Sequence, residues 1–219
     1  MTGAKDVAEI FCDESGHDGE NLVAGSTPVL AHSSLHMDLD EATELIAYLR
    51  AMTRAQSPEL KAAEVLRNGQ AIEGLFGEQG KLVGHVQVYL VEKAAMAAGK
   101  MVDLLIEERA HAQGQDIYRD GTNRRMVRAL YEHGPEDLGE EQWKSLVAAF
   151  ASLMREKQRK GEKETVDGFF EKLEHARSAA TTPKLKLVLN LLADTRVQVH
   201  EFQEDVAEGR LTKSLDPLQ

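Results

Sequence analysis

Apolar residues along the chain follow two patterns: short β-prone runs, interleaved with two helices, up to Glu92, and stripes at helical spacing after it. Val7 to Gly19 is an apolar run that stops in two acids and a glycine turn. Ile10, Phe11 and Cys12 predict a buried strand, and Asp13, Gly16, Asp18 and Gly19 break it, so the chain is expected to leave the sheet at Asp13. Asn21 to Leu30 reads either as two adjacent strands around a turn at Gly25 to Pro28 or as one bulged strand, and Ala31 to Met37 as a continuation. Asp38 opens a helix with Glu41 at capping-box spacing, Leu45, Ile46 and Leu49 form its apolar stripe, and Ser57-Pro58 ends it after about Arg54. A short helix lies between Gly69 and Gly77, and a strand runs from Gly84 to Glu92, with Val86, Val88, Leu90 and Val91 as its β-prone residues.

Met96 to Ala112 is the first of the later helices, with Met101, Leu104 and Leu105 inward and Glu107, Glu108 and Arg109 outward. Trp143, Leu146, Val147, Phe150, Leu153 and Met154 keep the same spacing, as do Phe169, Phe170 and Leu173. The last stripe, Leu185 to Val206, begins behind Pro183, where a first-turn proline loses no helical hydrogen bond, and can close at Gly209. The part after Gly121 therefore reads as helices alone.

Composition narrows this reading only in places. A chain of 219 residues, 42% hydrophobic and 29% charged, can bury a full core. The lone cysteine, Cys12, has no partner for an internal disulfide and is expected as a small core residue, which fits a reducing cytoplasm. No apolar leader and no run of about 20 apolar residues is present, so neither export nor membrane spanning is expected. The net charge of −11 works against nucleic-acid binding, which is driven by phosphate neutralisation. Any basic face must be local, and Arg124, Arg125 and Arg128, or Arg155, Lys157, Arg159, Lys160 and Lys163, are the candidates.

The candidate chemistry lies where strands stop. A carboxylate at a strand exit, such as Asp13, emerges from a rigid platform into the crevice where α/β sheets collect ligands; the plainer alternative is a solvated turn acid. In Glu59-Leu60-Lys61, an extended backbone would project Glu59 and Lys61 to one side and anchor Leu60 on the core. Such a carboxylate can ligate a metal, and such a lysine can hold a phosphate oxygen or orient the attacking water. The strand ending at Glu92 presents a third acid, followed at once by Lys93.

A strand ending in Asp13-Glu14-Ser15-Gly16, a second apolar strand, Glu59-Leu60-Lys61 and a strand ending in Glu92-Lys93 together resemble the prokaryotic family called domain of unknown function 3800. The resemblance covers about the first half of the chain. It implies an α/β, ribonuclease H-like mixed sheet over residues 1–120, followed over 121–219 by a helical insertion or cap packed on it. It also implies a hydrolase, a nuclease that uses Mg2+ or Mn2+ to cleave DNA or RNA, with Asp13, Glu59, Lys61, Glu92 and Lys93 catalytic.

In that fold the first and fourth strands lie side by side and parallel, which would bring Asp13 and Glu92 together as metal ligands, with Glu59 third. Glu92-Lys93 stands where the family more often has Asp-Lys. Leu192-Ala193-Asp194 resembles the family's late Ala-Asp pair and makes Asp194 the expected fourth ligand, within a long amphipathic helix; the alternative places that ligand, and a last strand, beyond Gln219. The competing function is a ribonuclease H-like binding or regulatory module without turnover. Nucleic acid is the expected partner, with a protein or a second copy engaging the helical region.

Overall fold

The computed structural model describes residues 8–17, 22, 25, 27–57, 59–154 and 163–199. The chain divides into two compact units, one of residues 1–15 and 31–90, the other of 16–30 and 91–219. The division falls inside two of the strands.

Three strands form one small sheet in the order β1 (Phe11–Ser15), β2 (Val29–Leu35), β3 (Val86–Glu92). β1 is antiparallel to β2, with Phe11 opposite Leu35, Asp13 opposite Ser33 and Ser15 opposite Ala31. β3 is also antiparallel to β2. The backbone N–H of His36 donates to His85 at 3.0 Å beyond one end of this pair, and that of Lys93 to Pro28 at 2.9 Å beyond the other.

The architecture is α/β as expected, but the sheet is antiparallel throughout rather than mixed. The strand ending in Glu92 neighbours β2 and is not beside β1. Two strands, not three, precede the first helix among the described residues, because Val29 to Leu35 runs on as one. The expected strand before it depends on residues 21, 23, 24 and 26, which lie outside the described ones.

Strands do form around Phe11, at Val29 to Leu35 and up to Glu92, but the first is not buried as expected. Every residue of β1 is exposed, including Cys12, so the expected core cysteine is a surface thiol. β1 is an edge strand, and Phe11 remains 55% exposed. Alternation and β-branching report that a segment fits a pleat, not that something covers it.

In the first unit the core is built by helices. α1 (Leu39–Thr53) buries Leu45 and Leu49, α2 (Ala62–Leu66) buries Val65, and α3 (Gly69–Phe76) buries Ala71 and Leu75; these five form one cluster. Asp38 stands at the N-cap of α1 but makes no side-chain cap bond, so the capping box does not form. Asn68 caps α3 instead, accepting from Gln70 and Ala71 N–H at 3.1 Å each. α1 ends at Arg54, in the left-handed region at φ 54°.

The second unit holds the larger core, and its described part from 122 to 199 contains no strand. α4 (Lys93–Met101) continues through a π-helical segment, Val102–Glu107, into α5 (Glu108–Ala112), burying Met101, Val102, Leu105 and Ile106. α6 (Thr122–Leu138), α7 (Glu140–Met154), α8 (Val166–Ala179) and α9 (Pro183–Ala193) follow. Phe150, Phe169 and Phe170 meet at its centre, with ring centroids 6.2 and 5.1 Å apart in the successive pairs.

Asp137, near the end of α6, accepts from the backbone N–H groups of Thr181 at 2.8 Å and Thr182 at 2.6 Å and from both hydroxyls. Thr182 is the N-cap of α9, so a carboxylate of one helix satisfies the open donors at the start of another. These bonds, first that of the Thr182 N–H, hold the Asp137 carboxyl down at about 2. α9 stops at Ala193 because Thr195 turns back, its N–H and hydroxyl both donating to the Leu192 carbonyl. Asp194 is therefore the C-cap of α9, at a two-residue turn after which helical backbone resumes over 196–199. The expected helical positions Phe202, Val206 and Gly209 lie outside the described residues, as do residues 215–219.

Candidate functional site

The expected site residues divide between the two units. Asp13, Glu59 and Lys61 belong to the first, and Glu92, Lys93 and Asp194 to the second.

Asp13 does not mark a strand exit. β1 continues through Glu14 to Ser15, and Asp13 sits in the middle of it opposite Ser33, whose hydroxyl donates to the Asp13 carbonyl at 3.2 Å. Two acids in succession did not end the strand because Gly16, at φ 78°, supplies the turn. A Cβ on Gly16 would lie 2.3 Å from the Val29 carbonyl oxygen, so only glycine lets the chain pass there.

Glu59 and Lys61 do project to the same side. The Lys61 ammonium lies 2.5 Å from a Glu59 carboxylate oxygen, while Leu60 packs partly buried against the first unit's core. Both charged side chains are more than half exposed, and an exposed pair of this kind is worth about 0–1 kcal/mol. The juxtaposition is local, between residues two apart in the segment leading into α2.

Glu92 ends β3 and is the N-cap of α4, with Lys93 the first helical residue. Glu92 accepts a hydrogen bond from the Tyr131 hydroxyl, 39 residues away on α6. That bond is the main cause of the raised Tyr131 phenol pKa, ahead of desolvation and the Glu92 charge. Lys93 is 3% exposed, a rare burial for a lysine.

Both residues open on a cleft of about 640 Å³ within the second unit, whose wall also includes Tyr131, Glu132, Trp143 and Lys144. Lys144 is held by Glu140, one helical turn before it, at 2.9 Å. The cleft thus combines a hydrogen-bonded carboxylate, two lysines and a phenol, a set suited to a ligand that is part ionic and part flat.

Tyr131, Trp143 and Lys144 were not foreseen as site residues. Trp143 and Lys144 follow the helical spacing of α7, and nothing local distinguishes a residue that lines a cleft from one that fills a core.

Asp194 is turned toward Arg109, which donates to its backbone carbonyl and lies 3.8 Å from its carboxylate. Of the expected cation ligands, Glu59, Glu92 and Asp194 thus each face a protein donor. Among the described residues no three His, Cys, Asp or Glu side chains are grouped as a metal centre. No chemical step is assigned to a cation.

Among the described residues no helix is long and apolar enough to cross a membrane. Arg125, of the first basic group, is tied to Asp120 and Thr122, and Arg128 to Glu132 at 2.7 Å, so this group is largely neutralised locally. Of the second basic group, all but Lys163 lie outside the described residues.

Comparison of the chain with protein-family models, with curated proteins and with solved structures finds no match.

Proposed function

We propose that the chain is a phosphodiester hydrolase acting on DNA or RNA, with the cleft at the β3–α4 junction as its reaction site. The observation that carries this reading is the placement of Glu92 and Lys93, adjacent in sequence, in the wall of one cleft with Tyr131 bonded to the carboxylate. Hydrolysis needs a base to take a proton from water as its oxygen attacks phosphorus, and cations to offset charge on the phosphoryl oxygens as the ester bond breaks. Glu92 is the base in this reading, oriented by Tyr131, and Lys93 and Lys144 supply positive charge. Tyr131 offers apolar surface to a nucleobase.

A non-catalytic binding module is the second reading. It is favoured by the acidity of the same cleft, where Glu92, Glu132 and Glu140 outnumber Lys93 and Lys144, in a chain of net charge −11.

A cleavage assay on single- and double-stranded DNA and RNA, with Mg2+, with Mn2+ and with chelator, separates the two. The hydrolase reading expects cleavage by the wild type and a loss of roughly 100-fold or more in Glu92→Gln, which keeps the side chain's size and removes the base. Cleavage by Glu92→Gln at the wild-type rate overturns it. Saturable binding without cleavage on every substrate and metal establishes the module. Dependence on Mg2+ or Mn2+ would show that a cation assembles with residues beyond those grouped in this structure.

A further inference from the structure

The cleft that carries Glu92 and Lys93 holds about 640 Å³, within the ~300–1,000 Å³ of sites that enclose one small molecule. Folds that hold long single strands engage about 4–16 nucleotides along an extended basic groove. Here the positive charge stays local. Glu92, Glu132 and Glu140 line the cleft with Lys93 and Lys144, and Arg128 donates to Glu132 at 2.7 Å, so three acids are matched by three bases. Arg125, on the same helix as Arg128, is turned to Asp120 and Thr122 instead.

We infer, resting on the hydrolase reading above, that this cleft takes strands of two or three nucleotides and prefers them to long DNA or RNA. Charge and size set the limit together. A dinucleotide carries one phosphodiester, whose single negative charge Lys93 and Lys144 offset within the cleft. In a long strand every further phosphate lies outside it, in the field of a chain of net charge −11. A duplex fares worse, with one charge per ~1.7 Å of its axis.

Depth points the same way. Lys93 is 3% exposed, so a phosphate meets it only from inside the cleft, and the nucleosides on either side have to follow. Pro28, Ala94 and Pro135, none of them buried, give those nucleosides an apolar wall together with Tyr131. In the step itself the water oxygen bonds to phosphorus, Glu92 takes the proton, and the ester P–O bond breaks. The departing oxygen takes a proton from solvent, so a dinucleotide leaves one nucleoside and one nucleoside monophosphate.

The test gives the full chain a dinucleotide and a single strand of about 20 nucleotides, longer than any such groove, as DNA and as RNA, with Mg2+ and with Mn2+. kcat/KM for the dinucleotide should exceed that for the long strand by roughly tenfold or more. Titration of Glu92→Gln with the same two ligands supplies a second readout. Log affinity against log salt should have a slope near −0.7 for both, as for about one phosphate of a single strand, whereas about −2 or steeper for the long strand counts three or more. A long strand cleaved within about tenfold of the dinucleotide, or the steeper slope, overturns this inference and leaves the hydrolase reading standing. Cleavage of neither substrate overturns the hydrolase reading and this inference with it.

Discussion

Gly134 and Gly99 are both glycines inside helices of the second unit, and replacing each with alanine should move stability in opposite directions. In α4, a Cβ on Gly99 meets nothing within 4 Å. Gly99→Ala therefore gains the helix propensity of alanine, about 1 kcal/mol, at no steric cost. In α6, a Cβ on Gly134 would lie 2.6, 2.8 and 2.9 Å from three ring atoms of Trp143. The indole is 3% exposed and cannot swing aside, so helix or ring must shift by up to about an ångström, in the range where overpacking costs ~1–3 kcal/mol. Pro135 adds to this, because its ring crowds a Cβ on the preceding residue in helical conformation. Against the ~1 kcal/mol propensity gain, a cost at the upper end of that range leaves Gly134→Ala about 2 kcal/mol less stable than wild type.

The two variants should then differ by about 3 kcal/mol. For a domain of this size that is a gap of roughly 6–12 °C in Tm, with Gly99→Ala above the wild type and Gly134→Ala below it. Trp143 is the chain's one tryptophan, so its fluorescence follows unfolding of the unit that carries both substitutions. A shifted native emission spectrum should accompany Gly134→Ala and not Gly99→Ala. If Gly134→Ala melts at or above Gly99→Ala, the close packing of α6 on the indole is wrong, and with it the wall of the cleft.

Two further outcomes follow from the geometry. Asp137, ordinarily near 3.8, is held at about 2 in the folded state, so its charge stabilises fully above about pH 4 and this contribution disappears as pH falls toward 2. Urea midpoints of wild type and Asp137→Ala should differ most at neutral pH and draw together at acid pH; a gap that does not change with pH would remove Asp137 as a charged cap of α9. Asp13→Asn tests the acid of β1: with the reaction site at Glu92, cleavage should stay close to that of the wild type with the melting temperature unchanged or slightly raised, and a fall by orders of magnitude would make Asp13 a site residue. Wild-type cleavage by Asp13→Asn would leave Asp13 as an edge-strand charge alone.

The helices of the second unit could be read from the chain because each buries one stripe, and the stripe's spacing is a property of the helix itself. Trp143 to Met154, Phe169 to Leu173 and Leu185 to Leu192 are buried where periodicity put them. The side-by-side placement of Glu59 and Lys61 was legible because residues two apart can meet without help from the rest of the fold.

What periodicity cannot carry is the identity of the partner surface. The apolar residues Ile10, Phe11, Val88 and Leu90 announce strands, but strand order and the exposure of both edges come from pairings between distant segments. The antiparallel register that puts β2 between β1 and β3 is such a pairing, and it is why Asp13 and Glu92 stand on strands that are not neighbours. The Tyr131–Glu92 bond spans 39 residues, and the contact of Gly134 with Trp143 depends on how α6 turns into α7. In the sequence Glu92 is an acid after a strand and Trp143 a core position; the packing of α4, α6 and α7 places both on one cleft, because helix packing brings together side chains that no local rule relates.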